Sequence, residues 1–136
     1  MFPDDLTTGV LTASLRGLNA RNTALANNIA NAETPGYKRI DVSFESALAD
    51  AVESDRSRMH RGGEGALPAF ADQGRAIDDL GPSVGSVDTT TMRVDGSNVD
   101  PDDEMAQLSA NTLAHQTVIA LLDKRFAQFR TAIMGR

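Results

Sequence analysis

Chemistry needs groups that titrate, attack or coordinate. This chain offers two histidines and nineteen acids but no cysteine. The missing thiols exclude disulfides, thiolate zinc sites and cysteine nucleophiles together. His60 lies in a basic cluster with Arg56, Arg58 and Arg61, the composition of a solvated connector. His115 falls on the inward stripe of a helix, where a packed, hydrogen-bonded seam residue is the simpler reading. No HExxH, no Glu-x-x-His and no second histidine on the same face supports a metal site. Asp102-Asp103-Glu104 resembles a carboxylate constellation, but all three fit the acidic first turn of a helix. Asp78-Asp79 precede a Gly-Pro turn and read as solubilising charge. The glycine-rich 62–65 (GGEG) lacks the lysine and the strand-to-helix setting of a phosphate loop. No catalytic residue, metal, cofactor or small-molecule substrate is therefore expected.

The elements that would carry these residues are better marked. Asp100 is a suitable N-cap and Pro101 fits the first helical position, where its missing N–H is harmless. Behind them Met105, Leu108, Thr112, His115, Ile119, Leu122, Phe126, Phe129 and Ile133 keep an unbroken 3/4 spacing. Lys124, Arg125 and Arg130 lie towards the C-terminal end, the sign the helix dipole prefers, and Gly135 is a credible stop. A second helix is predicted over residues 5–32. Leu11, Leu15, Leu18, Asn22, Leu25, Ile29 and Ala32 repeat in the a/d manner of a coiled-coil-like stripe. Gly17 weakens it by about 1 kcal/mol relative to alanine.

This N-terminal helix ends in a motif, NNIANAETPGYKR over 27–39. Pro35 cannot continue a helix and biases Thr34 away from the α region. Thr34-Pro35-Gly36-Tyr37 fits a type II turn, with glycine supplying the positive φ. Asn27, Asn28 and Asn31 are unfavourable inside a helix unless they bond to something beyond it. Tyr37, the only tyrosine, is placed to anchor the segment that leaves the turn.

Residues 41–97 differ. They hold seven of the eleven glycines and eleven acids against five arginines, which accounts for the whole formal charge of −6. Ile40–Ala51 is compatible with a short helix through Phe44, Leu48 and Val52. From Arg56 onward no period is sustained; short strands are conceivable at 69–71 and 90–94, and much of the stretch is expected to be mobile in a monomer. The predicted fold is mainly α. Residues 1–40 and 98–136 form a helical core whose long terminal helices pair in a coiled-coil-like seam, and 41–97 is a flexible or short-β insert. At 136 residues two full domains are not expected. The acidic balance argues against nucleic acid as a partner. No apolar run approaches the ~20 residues of a membrane span, and MFPDDLTTG lacks the basic start of a secretory signal.

The motif over 27–39 resembles the N-terminal signature of the bacterial flagellar axial proteins, the rod, hook and hook-associated subunits. DVSFESAL after it, MRVDGSNVDPDDEMAQLSANTLAHQTVIALL and the closing RTAIMGR are similar to the proximal rod subunits. Two positions depart from the usual pattern: His115, where tyrosine is expected, and Glu33, where Asn or Asp is common. The resemblance implies a non-enzymatic, self-assembling subunit of the periplasmic rod, the drive shaft for motility. It also implies export without a cleaved signal peptide through the flagellar type III machinery. The implied partners are other rod subunits and the rod-to-membrane-ring junction protein. Asn27, Asn28, Asn31, Thr34, Pro35, Gly36 and Tyr37 are the implied assembly residues, beside the two helix stripes. A sister rod subunit of the C type, or a helical-hairpin adaptor or export chaperone, are the alternatives.

Overall fold

The computed structural model describes residues 6–61, 77, 81–87 and 96–135. Their order is α1 (Leu6–Ala30), β1 (Ile40–Ser43), α2 (Glu45–Arg61), β2 (Ser83–Ser86) and α3 (Pro101–Met134). The fold is mainly α, with long helices towards both ends of the chain and a single antiparallel ribbon among the described residues. Both long helices stop where local chemistry demands. At the start of α3 the Asp102 N–H donates to Asp100 Oδ1 (3.0 Å) and the Glu104 N–H to the Asp100 carbonyl (3.0 Å). At its end Gly135 takes a φ of 66°. Beyond α1 the chain tightens through Thr34 N–H to the Asn31 carbonyl (2.9 Å). It then turns at Gly36, whose φ is 73°, with Tyr37 N–H bonded to the Thr34 carbonyl (3.2 Å). That is a type II turn.

Ile40–Ser43 is a strand and not the beginning of a helix. A helix would need the Ile40 carbonyl for Phe44. Instead the Asn28 amide captures that carbonyl, and the Phe44 N–H bonds to the Glu45 carboxylate (3.2 Å). α2 then runs through Arg56 to Arg61, so His60 sits on a helical backbone and not in a loop. The possible strands at 69–71 and 90–94, the segment 62–65 and Asp78-Asp79 lie outside the described residues. β1 pairs with β2 in the register Ile40 to Ser86 and Ser43 to Ser83.

The chain divides into two compact units. The first comprises Met1–Leu15, Phe44–Gly81 and Val118–Arg136. Its core holds Ala13, Ala51 and the fully buried Ile77, with Leu6, Val10, Leu48 and Val52 packed around them. The second comprises Arg16–Ser43 and Pro82–Thr117. Here the later part of α1 lies antiparallel to the early part of α3, since Asn111 Nδ2 donates to the Leu18 carbonyl (3.0 Å) while Asn28 meets Glu104 ten residues further along α1.

Within this single chain the stripes are read off directly. Leu18 and Leu25 are buried, and Leu11, Leu15 and Ile29 are half-buried. On α3 Leu108, His115, Leu122 and Phe129 are half-buried, whereas Met105, Ile119, Phe126 and Ile133 are exposed, Ile133 by 81%. The alternate inward positions belong to Glu104, Asn111, Val118 and Arg125. They recur every seven residues and, with Leu108, His115, Leu122 and Phe129, make a 4/3 series as regular as the apolar one, with every other position displaced by one residue. The displacement has a cause in the second unit: Glu104 and Asn111 bond to α1, and a buried polar group with a partner competes on equal terms with an apolar one.

Candidate functional site

The motif over 27–39 has a buried underside and an exposed tip. Glu33, Thr34, Pro35 and Gly36 are exposed, as is Asn27, while Asn31 is half-buried and Asn28 and Ala32 are buried. Asn31 closes locally, donating Nδ2 to the Asn27 carbonyl (2.9 Å). Asn28 does the opposite. Its Nδ2 donates to the Ile40 carbonyl (2.8 Å) and to Glu104 Oε2 (3.0 Å). Its Oδ1 accepts from the Ile40 N–H (2.9 Å) and the Tyr37 hydroxyl (3.3 Å). A side-chain amide has two donors and two acceptor positions, so Asn28 is saturated.

The neighbouring carboxylate completes the arrangement. Glu104 is 1% exposed, and its Oε1 accepts from Arg39 Nε at 2.5 Å. Arg39 Nη2 donates to Gln107 Oε1 (2.8 Å), and Gln107 in turn donates to Asp103 Oδ2 (2.7 Å). The Arg39 N–H donates to Asn98 Oδ1 (2.7 Å), and Asn98 Nδ2 donates to the Val87 carbonyl (2.6 Å). Arg21 adds Nε and Nη2 bonds to the Val42 carbonyl (3.2 and 2.7 Å). Asn28 and Arg21 thus satisfy the edge of β1 that β2 does not cover, and α1 serves as the third partner of the ribbon through its side chains.

Electrostatics follow from burial. The Tyr37 phenol is pushed above its usual 10.0 by burial first and by the Glu104 carboxylate second. Next to the tip, Lys38 Nζ donates to the Gly96 carbonyl (3.1 Å), and a Cβ on Gly96 would stand 3.9 Å from the Gly36 Cα. Among the described residues no three His, Asp or Glu side chains gather as a metal group would require. No helix there is long and apolar enough to cross a membrane.

Of the sequence-predicted motif residues, the fold brings Asn28 and Tyr37 into one cluster and leaves Asn27, Thr34, Pro35 and Gly36 outside it. Sequence reasoning missed Glu104, Asn98 and Asn111 as buried partners. It placed Glu104 with Asp102 and Asp103, which are exposed. The available signal was the second 4/3 series on α3 beginning at Glu104, which a purely apolar count passes over.

The family model described as "Flagella basal body rod protein" matches residues 11–38, the stretch from the first stripe leucine to the end of the turn. The flagellar basal body rod protein FlgB of Cereibacter sphaeroides strain ATCC 17023 is 35% identical over 134 residues, covering 98% of this chain and 97% of that protein. The chain belongs to the FlgB family of flagellar basal body rod proteins. The FlgB proteins of Bacillus subtilis strain 168 and Salmonella typhimurium strain LT2 are 29% and 32% identical over 126 and 124 residues. They cover 90% and 85% of this chain, and 88% and 83% of their own lengths. As a FlgB-family member the chain is a structural component of the flagellar basal body rod. The matched segment contains Asn28 and Tyr37 but none of their partners on α3.

Proposed function

We propose that this subunit builds the proximal part of the rod by self-assembly and meets its neighbours through two surfaces. One is the tip Thr34–Gly36, together with Asn27. The other is the exposed half of the α3 stripe, Met105, Ile119, Phe126 and Ile133, completing outside the chain the seam that Leu11, Leu15, Leu18, Leu25 and Ile29 begin with Leu108, Leu122 and Phe129. The observation that carries this reading is an exposed turn set on a fully hydrogen-bonded buried base. A loop held this firmly has lost its conformational entropy before binding, which favours docking. The apolar hollow of about 580 Å³ along Phe126, Phe129, Ile133 and Met134 marks where a neighbour's side chains would enter.

The neighbours are other rod subunits and the junction protein between rod and membrane ring. The subunit reaches them through the flagellar type III export machinery, uncleaved, and resides in the periplasm. Its task is mechanical, with no catalysis, cofactor or nucleic acid. Gly36→Val tests the turn. Nothing lies within 4 Å of a Cβ there, so the penalty is the positive φ alone, about 1–2 kcal/mol. The expected result is a folded subunit, reduced motility and less of this protein in purified basal bodies by mass spectrometry. Wild-type motility and incorporation would remove the turn from the assembly surface. The same spectra should show the uncleaved N-terminal peptide.

A further inference from the structure

Resting on that reading of the turn, we propose that Glu104 is a lock: the Asn28–Ile40 motif takes its folded form only when the C-terminal helix has docked, so Thr34–Gly36 is presented only by a chain whose two ends have met.

The bonds sort by sequence distance. Those between Asn28 and Ile40 span 12 residues and that to Tyr37 spans 9, so they could form early. The side-chain bonds to Lys38 and Arg39, and that from Asn28 to Glu104, are remote. Asn28 to Glu104 spans 76 residues, Arg39 to Glu104 spans 65, and Arg39 to Gln107 spans 68. Lys38 to Gly96 and Arg39 to Asn98 span 58 and 59. The side-chain bonds of Lys38 and Arg39 thus reach Gly96, Glu104 and Gln107, and Asn28 joins α1 to Glu104 as Leu18 joins it to Asn111.

Glu104 sits where these lines cross, giving one oxygen to Asn28 and the other to Arg39. Without that carboxylate, Asn28 keeps an unmatched donor in a fully buried place and Arg39 loses its opposite charge. Each change favours opening the cluster to water. Opening it frees Ile40 from Asn28, and with Ile40 the exit of the turn. A long helix elsewhere in the chain is not affected by this rearrangement, because its backbone bonds are its own.

The sole tyrosine, in a chain without tryptophan, makes the test direct, since the near-ultraviolet dichroism of tyrosine comes from Tyr37 alone. The full chain is compared with Glu104→Gln, Glu104→Ala and, as a control in the other unit, Leu122→Ala. The lock predicts that both Glu104 variants keep their far-ultraviolet helix signal, lose the Tyr37 signal, and exchange the Ile40 amide about ten-fold faster or more. Leu122→Ala should leave both local readouts unchanged at equal loss of global stability. An unaltered Tyr37 signal and Ile40 protection in Glu104→Gln and Glu104→Ala would overturn the proposal. So would equal loosening by Leu122→Ala, or loss of all helix in Glu104→Gln, which would make the residue a support of the whole fold. These readouts are taken on the free chain. A lock that holds while Gly36→Val assembles normally would leave the lock standing and remove the assembly role of the turn.

Discussion

At the scale of single residues, buried amides and one carboxylate decide the local structure. Asn28 is unfavourable in a helix by propensity, yet it is fully buried because every one of its hydrogen-bonding positions is used. Tyr37 shares that site and reports on it. Its phenol is held above 10.0 in the folded chain, so the folded form keeps its proton at pH values where the unfolded chain releases it. The resulting stability is complete below the ordinary phenol range and is lost as pH rises through the raised value. Urea unfolding at about pH 8 and about pH 11 should therefore show a drop at high pH in the natural chain. Tyr37→Phe should be weaker by about 1 kcal/mol at the lower pH, through the lost bond to Asn28, and should show a smaller drop. An equal drop in both proteins would assign the alkaline loss to other groups.

At the scale of elements, the two long helices meet by polar and small residues as much as by leucines. Gly17, Leu18, Ala24, Leu25 and Asn28 are buried on α1, and Glu104 and Asn111 on α3. The two polar α3 residues are not equivalent. Glu104 has partners on both oxygens, whereas Asn111 donates to the Leu18 carbonyl and leaves its Oδ1 buried without a bond. The Leu18 carbonyl lies inside α1 and has the helix's own bond to fall back on. Asn111→Leu should consequently change the unfolding free energy by less than about 1 kcal/mol, and the change should be in the stabilising direction. Chemical unfolding with an unchanged denaturant slope would check it. A loss above about 2 kcal/mol would mean that the Asn111 bond specifies the pairing.

At the scale of the whole molecule, the chain divides into two units, each holding part of α1 and part of α3. Among the described residues the buried set includes Asn28, Ser97, Asn98, Glu104 and Asn111 beside nine mostly small apolar residues. Near the C-terminal end of α3, Phe126, Ile133 and Met134 are exposed by 41%, 81% and 69%. A helix end that exposes this much apolar surface gains less from packing, and its backbone bonds open more readily. Hydrogen exchange should find the amides over 126–134 among the fastest of α3 in the free subunit and strongly protected in isolated rods. Equal protection in both states would show that neighbours do not cover this face.

The amino-acid sequence by itself determined both long helices, the caps of α3, the type II turn that ends α1 and the family, because each rests on near neighbours: Asp100 beside Pro101, Gly36 after Pro35, a stripe repeating every three or four residues. It also contained the 4/3 series from Glu104, but could not rank that series against the apolar one. Only the tertiary structure decided which was buried, since the worth of a carboxylate inside a protein depends on partners 65 and 76 residues away. The same holds for Ile40–Ser43, a strand because the Asn28 amide takes both backbone groups of Ile40. Local propensity cannot anticipate a bond whose second half arrives from elsewhere in the chain.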